Sequence, residues 1–194
     1  VKDNFYDGMI ITGAPVEMLD FEQVTYWKEI TRIFDWSRKH VTSTLYICWA
    51  GQAALHHFYG IGKVPLDEKL FGVFKHSATD RSNPLFRGFD DEFFIPHSRH
   101  TTVLKSDFEG KEELCVLSES PDAGIAIVSS RGGREFYLTG HSEYAPLTLH
   151  DEYTRDVKKG LDTKMPRNYY REDNPENQPM VSWTSHANLL FNNW

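Results

Sequence analysis

The chain has 194 residues, of which 40% are hydrophobic, 14% aromatic and 25% charged. That is the composition of an ordinary folded domain, and it excludes disorder, collagen and coiled coil. Its 21 Lys and Arg against 28 Asp and Glu leave a net charge of -7 with no long basic run, which argues against a nucleic-acid partner.

The first element in chain order is the apolar run Asp7-Gly8-Met9-Ile10-Ile11-Thr12-Gly13, which reads as a buried parallel strand ended by Gly13-Ala14-Pro15. From Glu22 to Lys39, Val24, Trp27, Ile30, Ile33 and Phe34 recur at helical spacing. Thr42 to Ile47 is again strand-like. Past Cys48, the small residues Ala50, Gly51, Ala53 and Ala54 predict a helix packed tightly on a sheet and ending before Gly60. Leu70–Phe74, Phe93–Ile95, Leu114–Leu117, Gly124–Ser129 and Glu135–Thr139 read as short strands, with Arg131-Gly132-Gly133-Arg134 as a hairpin turn. A helix is predicted over Thr148–Lys159. Leu161 to Pro179 reads as an ordered surface arm, and Leu189-Leu190-Phe191 as helical. The expectation is one α/β domain over 1–194, a three-layer sandwich around a mainly parallel sheet with an antiparallel insertion.

No apolar run approaches the roughly 20 residues that span a bilayer, and Val1-Lys2-Asp3-Asn4 lacks the regions of a signal peptide, so a cytoplasmic protein with no membrane partner is expected. Val1 is not an initiator methionine, and regular structure is predicted close to both ends, so a fragment of a longer protein is expected. Cys48 and Cys115 are too few for a disulfide scaffold, and neither lies in a CxxC pair.

Cys48 falls at a predicted strand-to-helix junction. A thiol there is exposed, and the helix N-terminus favours the thiolate. The turn's backbone N–H groups, joined by a donor such as Gly13 from a nearby loop, can hold an oxyanion. Position alone leaves a second reading open, a small buried apolar residue; packing is also the default for Cys115. Of the nine histidines, His56 and His57 lie in or near a helix and His40 and His150 read as surface residues. His97-Ser98-Arg99-His100 lacks the further ligands of a zinc site, so no metal is expected. His141 follows a strand directly in Thr139-Gly140-His141-Ser142-Glu143, at the kind of strand end where crevices form in doubly wound sheets. Cys48, His141 and Glu143 could then be nucleophile, base and orienter, or His141 could merely cap a strand.

Tyr46-Ile47-Cys48-Trp49-Ala50-Gly51-Gln52 and Gly140-His141-Ser142-Glu143 resemble the nucleophile elbow and His-x-Glu motifs of the class I glutamine amidotransferase-like (flavodoxin-like) fold. Tyr46 and Ala50 stand where that superfamily usually has glycine, and Ser142 where many members have proline. The whole chain resembles the homoserine O-acyltransferases of this type, the enzymes that start methionine biosynthesis. The matching stretches run nearly end to end: Ile11–Pro15, Trp36-Ser37, Val41–Thr44, Cys48–Ala50, Phe89–Asp91, Pro96–Arg99, Gly140–Tyr144 and Ser185–Phe191. Family members extend further in both directions, so the first strands of the full domain are expected to be missing.

The resemblance implies a ping-pong acyl transfer from acyl-CoA to L-homoserine, with Cys48 as nucleophile, His141 as base, Glu143 as orienter, and the N–H groups of Gly13 and Trp49 as oxyanion hole. It implies Lys69, Ser98 and Arg155 as substrate-binding residues, with Arg155 on the homoserine carboxylate. Glu17 falls where succinyl users have glycine and acetyl users glutamate, which selects acetyl-CoA as co-substrate over succinyl-CoA. No tightly bound cofactor is implied, the partners are small molecules, and a homodimer is allowed. The competing readings are a homoserine O-succinyltransferase, a class I glutamine amidotransferase or cysteine hydrolase, and an inactive truncated domain.

Overall fold

The alternation predicted for the first third of the chain is what forms. The computed structural model describes residues 3–194; Val1 and Lys2 lie outside the described residues. Strand β1 (Tyr6–Ile11) is followed by α1 (Trp27–His40), β2 (Val41–Ile47) and α2 (Trp49–Tyr59). Helix α1 buries Phe34 completely, sets Trp27 and Ile30 against the core, and ends with Arg38, Lys39 and His40, which suit the negative end of the helix dipole. Its chain passes straight into β2, so the helix is antiparallel to the strand it covers. In α2 the fully buried Ala50, Ala53 and Ala54 allow the helix backbone to lie close to the sheet. Gly51 sets the limit: a Cβ there would stand 2.8 Å from the Leu138 carbonyl oxygen.

Five more strands, β3 (Val64–Ala78), β4 (Glu92–Thr102), β5 (Leu114–Ser120), β6 (Gly124–Ser130) and β7 (Glu135–Leu138), complete one sheet of order β1-β2-β7-β6-β5-β3-β4. The β1–β2 and β2–β7 pairings are parallel and the other four antiparallel, so the sheet is mixed and its parallel share is smaller than the strand–helix alternation suggests. Strand β1 is parallel as expected, but not buried: Tyr6 and Ile10 are more than 40% exposed, because among the described residues it has one neighbouring strand and lies at the sheet edge. The hairpin turn at 131–134 forms with Arg131, Gly132 and Gly133 all at positive φ.

Strands β3 and β4 far outrun the short pieces predicted for them. Polar residues interrupt their apolar pattern, yet several point inward: His76, His97, Arg99 and Thr101 are all buried. Helices α3 (Thr148–Lys158) and α4 (Thr184–Asn193) follow β7. Phe34, Tyr46, Trp49, Ala53, Leu55 and Tyr137 form a core between the sheet and α1–α2. Leu45, Ile47, Phe93, Ile127, Leu138 and Leu190 form another on the opposite face under α4, which gives the three layers. The arm over 161–179 is ordered: Arg167 pairs with the backbone of Phe71 and Val73, and Tyr169 and Tyr170 are buried in a third cluster with Leu149 and Trp183. No described helix is long and apolar enough to cross a membrane.

Because the carbonyl that confronts Gly51 is backbone and cannot swing away, Gly51→Ala must push α2 off β7. We expect a loss of about 1–3 kcal/mol in stability by urea unfolding; a variant as stable as the parent would show that α2 does not rest on β7 as described.

Candidate active site

Strand β2 ends at Ile47 and α2 starts at Trp49, so Cys48 alone makes the turn. It does so at φ 55° and ψ -120°, a conformation that L residues other than glycine rarely adopt. Two backbone bonds hold it there. The Cys48 N–H donates to Leu138 O on β7 at 2.7 Å, and the Gln52 N–H donates to Cys48 O at 3.2 Å as the first turn of α2. Gly13, at the start of the loop that leaves β1, lies against this turn: a Cβ on it would stand 3.1 Å from Cys48 Cβ and 3.4 Å from Trp49 N. The Gly13 backbone and the Trp49 N–H are thereby brought to the same thiol.

His141 arrives from the neighbouring strand. Three residues past β7, its N–H donates to Pro96 O on β4 at 2.8 Å, and its ring stacks on Tyr144 with centroids 4.1 Å apart. Nδ1 meets Glu143 Oε1 at 2.7 Å, and Cys48 is the other group that acts on the ring. Burial works against the imidazolium, but Cys48 and the bonded Glu143 outweigh it and raise the ring to about 10. Thiol and imidazole thus meet at one turn, with Glu143 holding the ring from behind.

A second polar group lies beyond Tyr144, and Glu152 on α3 organises it. Glu152 Oε1 accepts from the Tyr144 hydroxyl at 2.7 Å and Oε2 from the Ser98 hydroxyl at 2.5 Å, while Lys69 Nζ stands 3.6 Å away. Lys69 is equally far from Asp156 Oδ2, and Asp156 Oδ1 accepts from Arg155 Nε and Nη2 at 2.8 and 2.7 Å. The side chain of Arg155 is 54% exposed. Burial together with the Glu152 carboxylate drives the Tyr144 hydroxyl well above its usual range, so it remains a donor.

On the other side of the turn, Glu17 is anchored to β4. Its Oε2 accepts from the His100 N–H at 2.9 Å and lies 3.4 Å from Thr101 Oγ1, and its carbonyl accepts from Lys63 Nζ. Thr101 Oγ1 donates to Gln52 Oε1 at 2.9 Å, which ties the same strand to α2.

A profile of the homoserine O-succinyltransferase family matches residues 1–194. The chain belongs to that family. It is 63% identical over its whole length to a homoserine O-acetyltransferase of Bacteroides fragilis and 62% to one of Parabacteroides distasonis, of which it covers 64% and 63%. One of Acetivibrio thermocellus is 55% identical, with 64% of it covered. The chain therefore spans less than two thirds of the length of these curated relatives. Among solved structures it resembles SMU.1228c, with a TM-score of 0.68 and 15% identity, covering 96% of this chain and 78% of that one. A glutamine amidotransferase of Methylobacillus flagellatus gives 0.68 and 12%, covering 96% and 75%. These two share the fold, the class I glutamine amidotransferase-like arrangement expected from the elbow motif.

For this homoserine O-succinyltransferase family member, the site residues named from sequence fall into one continuous region. Cys48, His141 and Glu143 come together, Gly13 and Trp49 flank the thiol, and Lys69, Ser98 and Arg155 meet around Glu152 and Asp156. Sequence reasoning missed those two acids and Tyr144. The available signal was spacing on α3, where residues 152, 155 and 156 share a helix face. His150 departs from its surface reading: its Nδ1 is 2.8 Å from the Tyr170 hydroxyl and the residue is half-buried.

Since the folded value of His141 lies above the unfolded value of about 6.5, the stabilisation its charge supplies is full below about 6.5 and is lost as pH rises through about 10. Nitrogen NMR should place the His141 titration in this alkaline range and move it down in Cys48→Ala. A titration indifferent to that substitution would mean that thiol and imidazole do not interact.

Proposed function

We propose that this chain carries the acyl-transfer centre of a homoserine O-acetyltransferase, working by double displacement through Cys48. The observation that carries the reading is the turn itself: a cysteine at positive φ on a helix N-terminus, beside a histidine whose Nδ1 is held by a carboxylate. The thiol is buried rather than exposed as the junction predicts, but a strained turn that sets it beside an imidazole is arranged for attack rather than for packing.

In the first half-reaction the Cys48 sulfur attacks the carbonyl carbon of acetyl-CoA. The tetrahedral oxygen is held by the N–H groups of Gly13 and Trp49, and collapse breaks the carbon–sulfur bond to CoA, which leaves with a proton from His141. A thioester is exchanged for a thioester, so the step is nearly balanced in energy. In the second half-reaction His141, now neutral, takes the proton of the homoserine hydroxyl as that oxygen attacks the acetyl-enzyme. Glu143 stabilises the returning imidazolium, and O-acetylhomoserine leaves as the thiol is restored.

Homoserine brings a carboxylate and an ammonium. Asp156 occupies the Nε–Nη2 edge of Arg155, which leaves the Nη1–Nη2 edge to pair with a carboxylate in two parallel bonds. Lys69 and Ser98, held by Glu152, complete that pocket. Glu17 supports acetyl as the acyl group, because a fixed carboxylate on the acyl side fills space and repels the distal carboxylate of succinyl-CoA. The names of the relatives in three bacteria also support acetyl; the name of the family favours succinyl as the second reading.

With the full-length natural protein, homoserine-dependent CoA release from acetyl-CoA should exceed that from succinyl-CoA and fall by at least about a thousandfold in Cys48→Ala. A preference for succinyl-CoA would overturn the acyl assignment, and release that survives Cys48→Ala would overturn the nucleophile. Glu152→Gln should raise KM for homoserine about tenfold while sparing CoA release in the first half-reaction; an unchanged KM would remove Glu152 from the homoserine pocket.

A further inference from the structure

Behind the reacting pair lies a row of buried polar side chains to which the mechanism assigns no task. Arg99, His97 and His76 are each no more than 1% exposed. Arg99 donates from Nη1 to Thr101 O and from Nη2 to Ala123 O, both at 2.6 Å, and from Nε to His97 Nδ1 at 3.4 Å. His97 Nε2 is 3.0 Å from His76 Nε2.

The direction of every bond in this row follows from its first member. A guanidinium has no acceptor, so His97 Nδ1 must be bare. His97 is then neutral with its proton on Nε2, and it donates to His76 Nε2, which places the His76 proton on Nδ1. That last N–H is buried and has no partner among the described residues. It is the end of the row that lies away from the site.

In the middle of the row, His97 makes the bed for the catalytic base. A Cβ on Gly140 would stand 2.8 Å from His97 Cε1 and 2.6 Å from Ile95 Cγ2, so the residue before His141 rests directly against this ring. The His141 N–H donates to Pro96 O between them. The same strand is tied to α2 by the pair Thr101 and Gln52, so it supports the nucleophile and the base together.

We propose that Arg99 and His97 are positioning residues for the Cys48–His141 pair: Arg99 fixes His97 as the neutral Nε2–H tautomer, and that ring seats Gly140 and through it His141. Neutrality matters because a charged His97 would oppose the imidazolium one residue beyond Gly140. Burial, and after it the neighbouring His76, Arg99 and His141, hold His97 well below its usual range, and burial with Arg99 brings His76 down to about 3. The other charged or titratable groups around Arg99 are Glu17 and Cys48 on the site side, and Lys105, Glu119 and Asp122 along the cavity on its far side.

The inference rests on Cys48 and His141 being the reacting pair, so its test has a readout independent of turnover. In the full-length protein labelled with nitrogen-15 at histidine, His97 should show the Nε2–H tautomer and no titration between about pH 5 and 9. An Nδ1–H or charged His97 would overturn the proposal whether or not the enzyme turns over. In Arg99→Met the first-half-reaction rate, read as the burst of CoA release, should fall about ten- to a hundredfold with little change in KM for the acyl donor. The His141 titration should move down in the same variant, and Arg99→Lys, which keeps a donor toward His97, should recover part of both. If Arg99→Met only lowers the melting temperature, leaving burst rate and His141 titration as in the parent, the row is structural and the proposal fails. Should Arg99→Met not fold, Arg99→Lys and the tautomer measurement decide the question alone.

Discussion

The rest of the site depends on one backbone turn. A strand in the middle of a sheet must become a helix within a single residue, and Cys48 accomplishes this at φ 55°. Such a conformation costs of order 1–3 kcal/mol for a residue with a Cβ and persists only where its surroundings fix it. Here the 2.7 Å bond to Leu138 O fixes it from below, and the close approach of α2 fixes it from the side. The close approach in turn requires the small residues Ala50, Gly51, Ala53 and Ala54. One constraint thus runs from helix composition to the angle at which a buried thiol is held.

The second constraint is polar. The strand that supports both Cys48 and His141 is β4, and it carries buried Arg, His and Thr where a sheet interior usually carries Val or Ile. Buried polar atoms destabilise unless bonded, so each must find a partner with a fixed direction, and a fixed direction is what an aliphatic core cannot supply. Glu17 and Gln52 bond to one end of this segment and His141 to the other. The acyl side and the base are therefore carried on one rigid element rather than on two loops, which keeps a thiol, a ring and a carboxylate in register.

Much of this could be read from the sequence. The α1 periodicity, the Ala-rich α2, the turn at 131–134 and the Cys48, His141 and Glu143 constellation rest on local patterns, and local patterns survive folding. Strands β3 and β4 could not be read at full length, because inward-facing His76, His97, Arg99 and Thr101 break a period-2 pattern and only their partners across strands reveal why they are buried. The exposed edge of β1 was misread as buried, since an apolar run shows propensity for a strand but not how many neighbours it has. Glu152 and Asp156 escaped because a charged residue on a helix is solvated by default, and only Ser98, Lys69 and Tyr144, brought from three other parts of the chain, make it part of a site.

The central claim is that Cys48 accepts an acyl group. Intact-protein mass spectrometry of the full-length natural protein mixed with acetyl-CoA and no homoserine tests it directly. The account predicts a gain of one acetyl mass, mapped by peptide digestion to Cys48 and discharged when homoserine is added. A protein that stays unmodified while still forming product, or that carries the acetyl group on another residue in a form homoserine does not remove, would contradict it.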